Sequence, residues 1–270
     1  MNEYSQSLFA GSSSDDMSSP VMICLLGNFR LLRAGALVPI RAGGKSEALL
    51  AYLGIHANRR VARERLVQAL WPESDPDLAF NSFYNLISRL HRLLGPTLQG
   101  AAPVVQEDGY CRLNLTAGIG VDVAFFDALV DAGDRHTQAG EGAAALAVYR
   151  RAAELYRDDL CLAADASIIV ERERLRARYL SVLAQLAEQL YAAGDYGMAL
   201  DYLWRLLARD PCREDAYRLM MRCYMRRGER AAALHHYQIC ADLLRAEFGA
   251  APEPATVALF EQIRDQPEQI

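Results

Sequence analysis

Lysine is all but missing from this chain: of its 29 basic residues only Lys45 is one. Genome composition explains that bias as well as chemistry does, so nothing rests on it. Long apolar runs are missing too. No stretch approaches the roughly 20 uninterrupted apolar residues that a spanning helix needs, which excludes a helical membrane protein. Six cysteines (Cys24, Cys111, Cys161, Cys212, Cys223 and Cys240) are scattered without a CxxC pair. That spacing argues against a disulfide framework and a zinc ribbon, and leaves buried small hydrophobes in a reducing compartment. Residues 1–20 hold no Lys or Arg and seven serines, so they lack the basic and apolar regions of a secretory signal. They are expected to be a disordered tail on a cytoplasmic protein.

Chemistry-bearing constellations are equally scarce. His236 and Cys240 stand four apart, but no second ligand pair accompanies them, so no metal site is expected. Gly43-Gly44-Lys45-Ser46 mimics the end of a phosphate-binding loop, yet Pro39 stands where that motif needs its first glycine. The fragment reads instead as a turn capping a helix. No Ser/His/Asp or Cys/His arrangement with activating neighbours can be argued, so neither catalysis nor a cofactor is expected. The run Glu171-Arg172-Glu173-Arg174, with Arg176 and Arg178, reads as a solvated helix face with internal ion pairs.

What is present is a globular composition, 52% apolar and 23% charged, over a length that favours two domains. The net charge of −5 conceals an uneven distribution. Residues 21–115 carry eleven bases against seven acids, whereas residues 116–270 carry eighteen against twenty-four. A domain that touches nucleic acid would be the first of these.

The basic segment opens with β-rich patterning. Val21 to Leu25 reads as a buried strand, Phe29 and Leu31 alternate with Arg30, and Ala34-Gly35 turns before Leu37 to Ile40. Helical spacing follows over Lys45–Ile55, Arg63–Trp71 and Leu78–Leu94. The loop from Pro72 to Asp77 supplies prolines to stop one helix and acids to cap the next. Val104 to Leu113 reads as a hairpin turning at Asp108-Gly109. A sheet, three helices and a terminal hairpin are the order of a winged helix.

From Val121 onward the patterns are helical and they recur. Gly194 with Ala199 returns as Gly228 with Ala233, in both cases 34 residues on, the tetratricopeptide period. An imperfect earlier copy carries Ala145, Tyr149 and Ala152. The expected fold is therefore an α+β N-terminal winged helix, residues 21–115, followed by an all-α tetratricopeptide-like domain, residues 121–265. Such stacks bury a continuous core and leave a face free for partners.

The third helix separates into two faces. Phe83, Leu86, Ile87, Leu90, Leu93 and Leu94 follow the core spacing, while Asn81, Asn85, Ser88, Arg89 and Arg92 lie opposite. An amide can pair bidentately with adenine and a guanidinium with guanine, so this face suits the major groove. A polar helix face is also ordinary surface; its place between a helix-turn unit and a terminal hairpin favours the DNA reading.

These residues resemble the Streptomyces antibiotic regulatory protein family, an OmpR-type winged helix joined to a bacterial transcriptional activator domain. The carriers are Leu26-Gly27 and Phe29, Lys45-Ser46 leading into Leu53, Asn58 to Val61, Leu70-Trp71-Pro72, Asn81-Ser82 to Gly95, and Gly109-Tyr110 with Leu113. In the second domain they are Val121-Asp122, Phe125-Phe126, Tyr217 to Met220, Ala233-Leu234 with Tyr237, and Leu244 to Pro254. The resemblance implies sequence-specific binding to promoter repeats in double-stranded DNA and recruitment of RNA polymerase. Expected DNA contacts are Asn81, Asn85, Ser88, Arg89, Arg92, Lys45 and Arg112. The loop residues Glu73, Ser74, Asp75 and Asp77 are the expected polymerase contact. The helical domain is expected to serve self-association or reception of an effector.

The chain also departs from the family. Phe80 stands where an arginine is usual, His91 where a base is usual, and Ala62 where a Ser or Thr cap is usual, while Glu107-Asp108 makes the wing acidic. These changes weaken phosphate attraction and predict modest DNA affinity, or affinity that depends on dimerisation or a partner. Taken further, they motivate the alternative of a protein-interaction scaffold or signal-binding module whose winged helix has lost DNA affinity.

Overall fold

The computed structural model describes residues 19–57, 59–160 and 166–266. Cys161, Asn58 and all of the expected tail but Ser19 and Pro20 lie outside them. The described residues form two compact units, one running to Ala128 and taking in those between Leu155 and Arg172, the other taking in Leu129–Glu154 and those from Glu173 onward.

The first unit begins with a four-stranded sheet in the order β3 (Ala36–Leu37), β2 (Arg30–Arg33), β1 (Val21–Cys24) and β7 (Ile119–Val121). β1 (Val21–Cys24) is buried throughout and pairs antiparallel with β2 (Arg30–Arg33), which pairs with β3 (Ala36–Leu37). The β2–β3 turn is tight because Ala34 and Gly35 both take positive φ, 48° and 78°. The third strand is shorter than expected. Leu37 is exposed, and it is Val38 beyond the strand that enters the core.

Helix α1 (Lys45–Ile55), strand β4 (Val61–Ala62), helix α2 (Arg63–Leu70) and helix α3 (Pro76–Leu94) follow. β5 (Val104–Glu107) and β6 (Tyr110–Leu113) form the expected hairpin. Asp108 and Gly109 take positive φ at its turn, 50° and 79°, and Glu107 faces Tyr110 directly across it. β4 joins this hairpin in a second sheet, ordered β4-β6-β5. Leu49, Leu50, Leu66, Phe83 and Leu90 are fully buried in the core of this unit. Burying a side chain such as Phe83 stabilises the fold by about 2–3 kcal/mol.

A strand absent from the sequence reading closes the first sheet: β7 (Ile119–Val121) runs parallel to β1. Directly after it, helix α4 (Asp122–Gln138) opens with a buried carboxylate. Asp122 accepts the backbone N–H of Leu25 at 2.8 Å and 2.9 Å, one to each oxygen, and that of Leu26 at 3.0 Å. It thereby satisfies the end of β1, where the ladder with β2 has stopped. Burial pushes its pKa up to about 6, against the pull of those N–H donors. Leu160 bridges to Leu26 and Gly27, which ties the returning segment to the same sheet.

The second unit contains no strand among its described residues. Helix α5 (Gly142–Leu155), helix α6 (Ala166–Ala192), α7 (Tyr196–Leu207), α8 (Glu214–Arg226), α9 (Arg230–Phe248) and α10 (Pro254–Asp265) complete the chain. Three helix pairs turn on left-handed glycines, Gly140, Gly194 and Gly228, at φ 74°, 80° and 76°. Ala199 and Ala233, the small residues of the 34-residue recurrence, are both fully buried. The imperfect copy is the tightest. A Cβ on Gly133 of α4 would lie 2.3 Å from the Tyr149 ring of α5, so only glycine admits that tyrosine. The last pair closes over Met221, Ala233, Leu259 and Ile263, with Tyr237 stacked on Phe260 at 4.0 Å.

Two expectations need correction here. The run from Glu171 to Arg178 is not a solvated face. Its arginines are half-buried and reach other segments: Arg172 donates to the Leu160 carbonyl at 2.9 Å, Arg176 to the Arg209 carbonyl at 2.7 Å, and Arg178 pairs with Asp131. Guanidinium forks suit this work because α6 is long and carbonyls at the ends of neighbouring segments lack donors. Cys212 is half-exposed, unlike Cys24, Cys111, Cys223 and Cys240, which are buried and whose thiols are pushed up to about 11 or 12 by desolvation. Among the described residues no helix is long and apolar enough to cross a membrane.

Candidate nucleic-acid interface

The start of α3 is set by its cap. Asp75 accepts from the N–H groups of Asp77 at 3.0 Å and Leu78 at 3.3 Å, with Pro76 preorganised at the first helical position. The helix buries Phe83, Leu86, Ile87, Leu90 and Leu94, with Leu93 half-buried, and exposes Asn81, Asn85, Ser88, Arg89 and Arg92. The structure therefore places all five expected contacts of this helix on one open face. Asn81, Asn85, Ser88 and Arg92 step by four, three and four residues, a single stripe along it.

Three expected cations are already engaged. Arg89 donates to Ser46 Oγ at 2.7 Å, which ties α3 to the start of α1. Lys45 donates to the Leu70 carbonyl and lies 5.7 Å from the Trp71 ring centroid, so its charge satisfies the C-terminal end of α2. Glycine caps α1 without a side-chain bond, while Glu47 accepts from the Gly43 N–H at 3.0 Å. That geometry is the helix-capping turn read from the sequence. Arg112 on the wing lies 3.9 Å from Glu107, and Arg60 lies 3.8 Å from the same carboxylate. One acid thus holds two wing bases. Arg92 meets no partner among the described residues.

Sequence reasoning missed Arg63. This residue opens α2, where Ala62 offers no side-chain cap, and its own N–H donates to the Gly109 carbonyl of the wing turn at 2.9 Å. Its guanidinium lies 5.5 Å from the Phe80 ring centroid and donates to the Tyr84 hydroxyl at 2.8 Å, while pairing with Glu64 at 3.2 Å. Phe80, read as the loss of a base from α3, instead presents a π face that holds a base from α2 beside that helix. No spacing rule links residues this far apart in sequence; only their convergence in the fold does.

Glu73 and Ser74 are exposed in the loop before α3, and Asp77 is exposed in its first turn. Asp75 is exposed as well, but its carboxylate is committed to the cap.

Residues 121–264 match the family described as "Bacterial transcriptional activator domain". The chain belongs to that family. Its curated relatives are regulators of the Streptomyces antibiotic regulatory protein type. Regulatory protein AfsR of Streptomyces coelicolor is 29% identical over 243 residues, covering 86% of this chain but 24% of AfsR. Transcriptional regulatory protein MoaR1 of Mycobacterium tuberculosis is 28% identical over 249 residues, 91% of this chain and 80% of MoaR1. The solved structure of Mycobacterium tuberculosis EmbR, in complex with a low affinity phosphopeptide, superposes with a TM-score of 0.76 at 26% identity. That match covers 92% of this chain and 65% of EmbR. This activator-domain protein therefore shares its architecture, winged helix and helical domain together, with EmbR, and spans about a quarter of AfsR.

Proposed function

We propose that this chain is a sequence-specific DNA-binding transcription regulator, an activator that binds promoter repeats and recruits RNA polymerase. Residues 21–115 act as its DNA-binding domain and residues 121–265 as its activator domain, in the cytoplasm and without catalysis. The observation that carries the reading is the exposed stripe of Asn81, Asn85, Ser88 and Arg92 on a helix whose opposite face is locked into the core. Rigid presentation of amides and a guanidinium at successive turns is what base readout in the major groove requires. Arg89, bound to Ser46, fixes the angle of the helix, and Arg92 takes a phosphate at the groove rim. Arg60, Arg63 and Arg112 form the second phosphate contact at the wing. Lys45 supports the site by holding the end of α2.

The loop carrying Glu73 and Ser74, with Asp77 in the first turn of α3, faces polymerase. Its test must spare Asp75, whose loss would unseat α3. Replacing those three residues by neutral ones is expected to abolish activation of a reporter while leaving DNA affinity intact. Unchanged transcription would remove the polymerase contact. DNA binding itself is tested by titrating a labelled duplex from upstream of the gene at 50 mM and 200 mM salt. About three to five phosphate contacts predict a loss of roughly 40- to 500-fold across that range. Salt-insensitive or absent binding would overturn the reading.

A further inference from the structure

Along one side of α7, Gly197, Asp201 and Trp204 recur at the spacing of a single helical face, with Met198 beside them. Together with Tyr224 of α8 and Glu229 at the start of α9 they line an open groove of about 520 Å³. Trp204 is 48% exposed and Met198 38% exposed, an expensive display of apolar surface for a helix that otherwise buries its large side chains.

The groove is held open from below. His236, only 6% exposed, stacks on Tyr224 at 5.0 Å with an interplanar angle of 8°, and meets the Trp204 ring edge-on at 5.2 Å. This imidazole occupies the space into which the indole would otherwise fold. Its Nδ1 is buried without a hydrogen-bond partner. Burial and the neighbouring His235 push its pKa down, so it stays neutral there.

Gly197 gives the second clue. It is the second residue of α7, and a Cβ built on it would meet nothing nearer than Asp195 Oδ1 at 3.9 Å. No packing contact fills the space above it, which leaves room for an occupant lying across the first turn of α7. The charges specify that occupant. Arg227 is paired with Glu229 at 2.7 Å, and Asp195 caps the Met198 N–H at 3.2 Å. Asp201 meets no cation among the described residues. The unbalanced charge of the groove is negative, beside an exposed indole face.

We infer that this groove binds an extended peptide segment of a partner protein through one basic side chain, placed over Trp204 and against Asp201, with an apolar neighbour on Met198. A cation above an indole is attracted by the ring quadrupole, and a carboxylate alongside adds a charge-assisted hydrogen bond. The open form of the trough suits a chain that enters and leaves it, rather than a small molecule that a pocket must enclose.

The test uses the full chain carrying Trp71→Phe, so that Trp204 is the sole tryptophan of the two. Its emission is followed against two pools of capped hexapeptides, identical except that one fixes arginine and the other glutamate at the third position. The arginine pool is expected to saturate below 1 mM and the glutamate pool to bind at least tenfold more weakly. Asp201→Asn should weaken the arginine pool about tenfold. Gly197→Leu should abolish binding while Gly197→Ala, which leaves the groove open, retains it with an unchanged circular dichroism spectrum. No saturable response to the arginine pool, equal binding of both pools, or free arginine amide binding as tightly as the peptides would overturn the inference.

Discussion

Glu107 restrains the wing, and removing its charge should strengthen DNA binding. Its carboxylate lies 3.8 Å from Arg60 and 3.9 Å from Arg112, and all three side chains are at least a third exposed. Exposed pairs at this separation contribute about 0.2–1 kcal/mol each, so the two together hold back roughly 1 kcal/mol. Glu107→Gln releases both guanidiniums and deletes a negative charge facing the phosphates. Affinity for duplex DNA should rise about five- to tenfold at 50 mM salt, and the slope of log K against log salt should steepen by about one unit. Because phosphates are read without regard to sequence, any labelled duplex serves, and fluorescence anisotropy measures the change. Asp108→Asn is the control. It removes the same charge from the same turn, at a positive φ that asparagine tolerates, but releases no arginine. Its effect should be smaller. If Glu107→Gln left affinity unchanged, or if Asp108→Asn matched it, the restraint by paired arginines would be refuted.

Three further outcomes follow from the packing. Ala233→Leu forces a larger side chain into a fully buried site and should cost about 1–3 kcal/mol in urea unfolding; a loss below 0.5 kcal/mol would contradict the tight helix pair. Asp75→Ala removes the two N–H contacts at the start of α3 and should destabilise by about 1 kcal/mol, while Glu73→Ala should leave the urea midpoint unmoved. The third concerns pH. Burial raises the Asp122 pKa from 3.8 to about 6, so folding favours its protonated form. Its contribution to stability is fully present below about pH 4 and is lost as pH rises through about 6. Asp122→Asn loses an acceptor but also escapes this pH penalty, so its disadvantage relative to the parent should shrink between pH 4.5 and pH 7.5; a pH-independent difference would contradict the burial argument.

The sequence made the periodic parts of this molecule legible. The 34-residue recurrence marked Ala199 and Ala233, and both are buried in paired helices; the two faces of α3 separated by spacing alone. What escaped had too little length or no local signal. β7 is three residues long and pairs with β1, nearly a hundred positions earlier, so no alternation could announce it. Asp122 reads as an ordinary first-turn acid until the end of β1 is seen above it. Arg63 reads as one base in a polar helix until Phe80 and Tyr84 converge on it, and the arginines of α6 read as solvent-facing because spacing does not reveal which carbonyls lie within reach. Charge counting had the same blind spot. It registered the acids of the wing but not that one of them holds two bases.

The central claim, that the open face of α3 reads DNA, is tested most directly by selecting bound duplexes from a random pool with the parent chain, Asn85→Ala and Arg92→Ala. The parent should enrich a defined repeat. Asn85→Ala should retain binding but lose preference at one position of each repeat, by about 1–3 kcal/mol of discrimination, because a bidentate base contact is gone. Arg92→Ala should enrich the same repeat with uniformly weaker binding and a salt slope flatter by about one unit. An identical repeat at identical affinity from all three proteins would show that α3 does not read the bases.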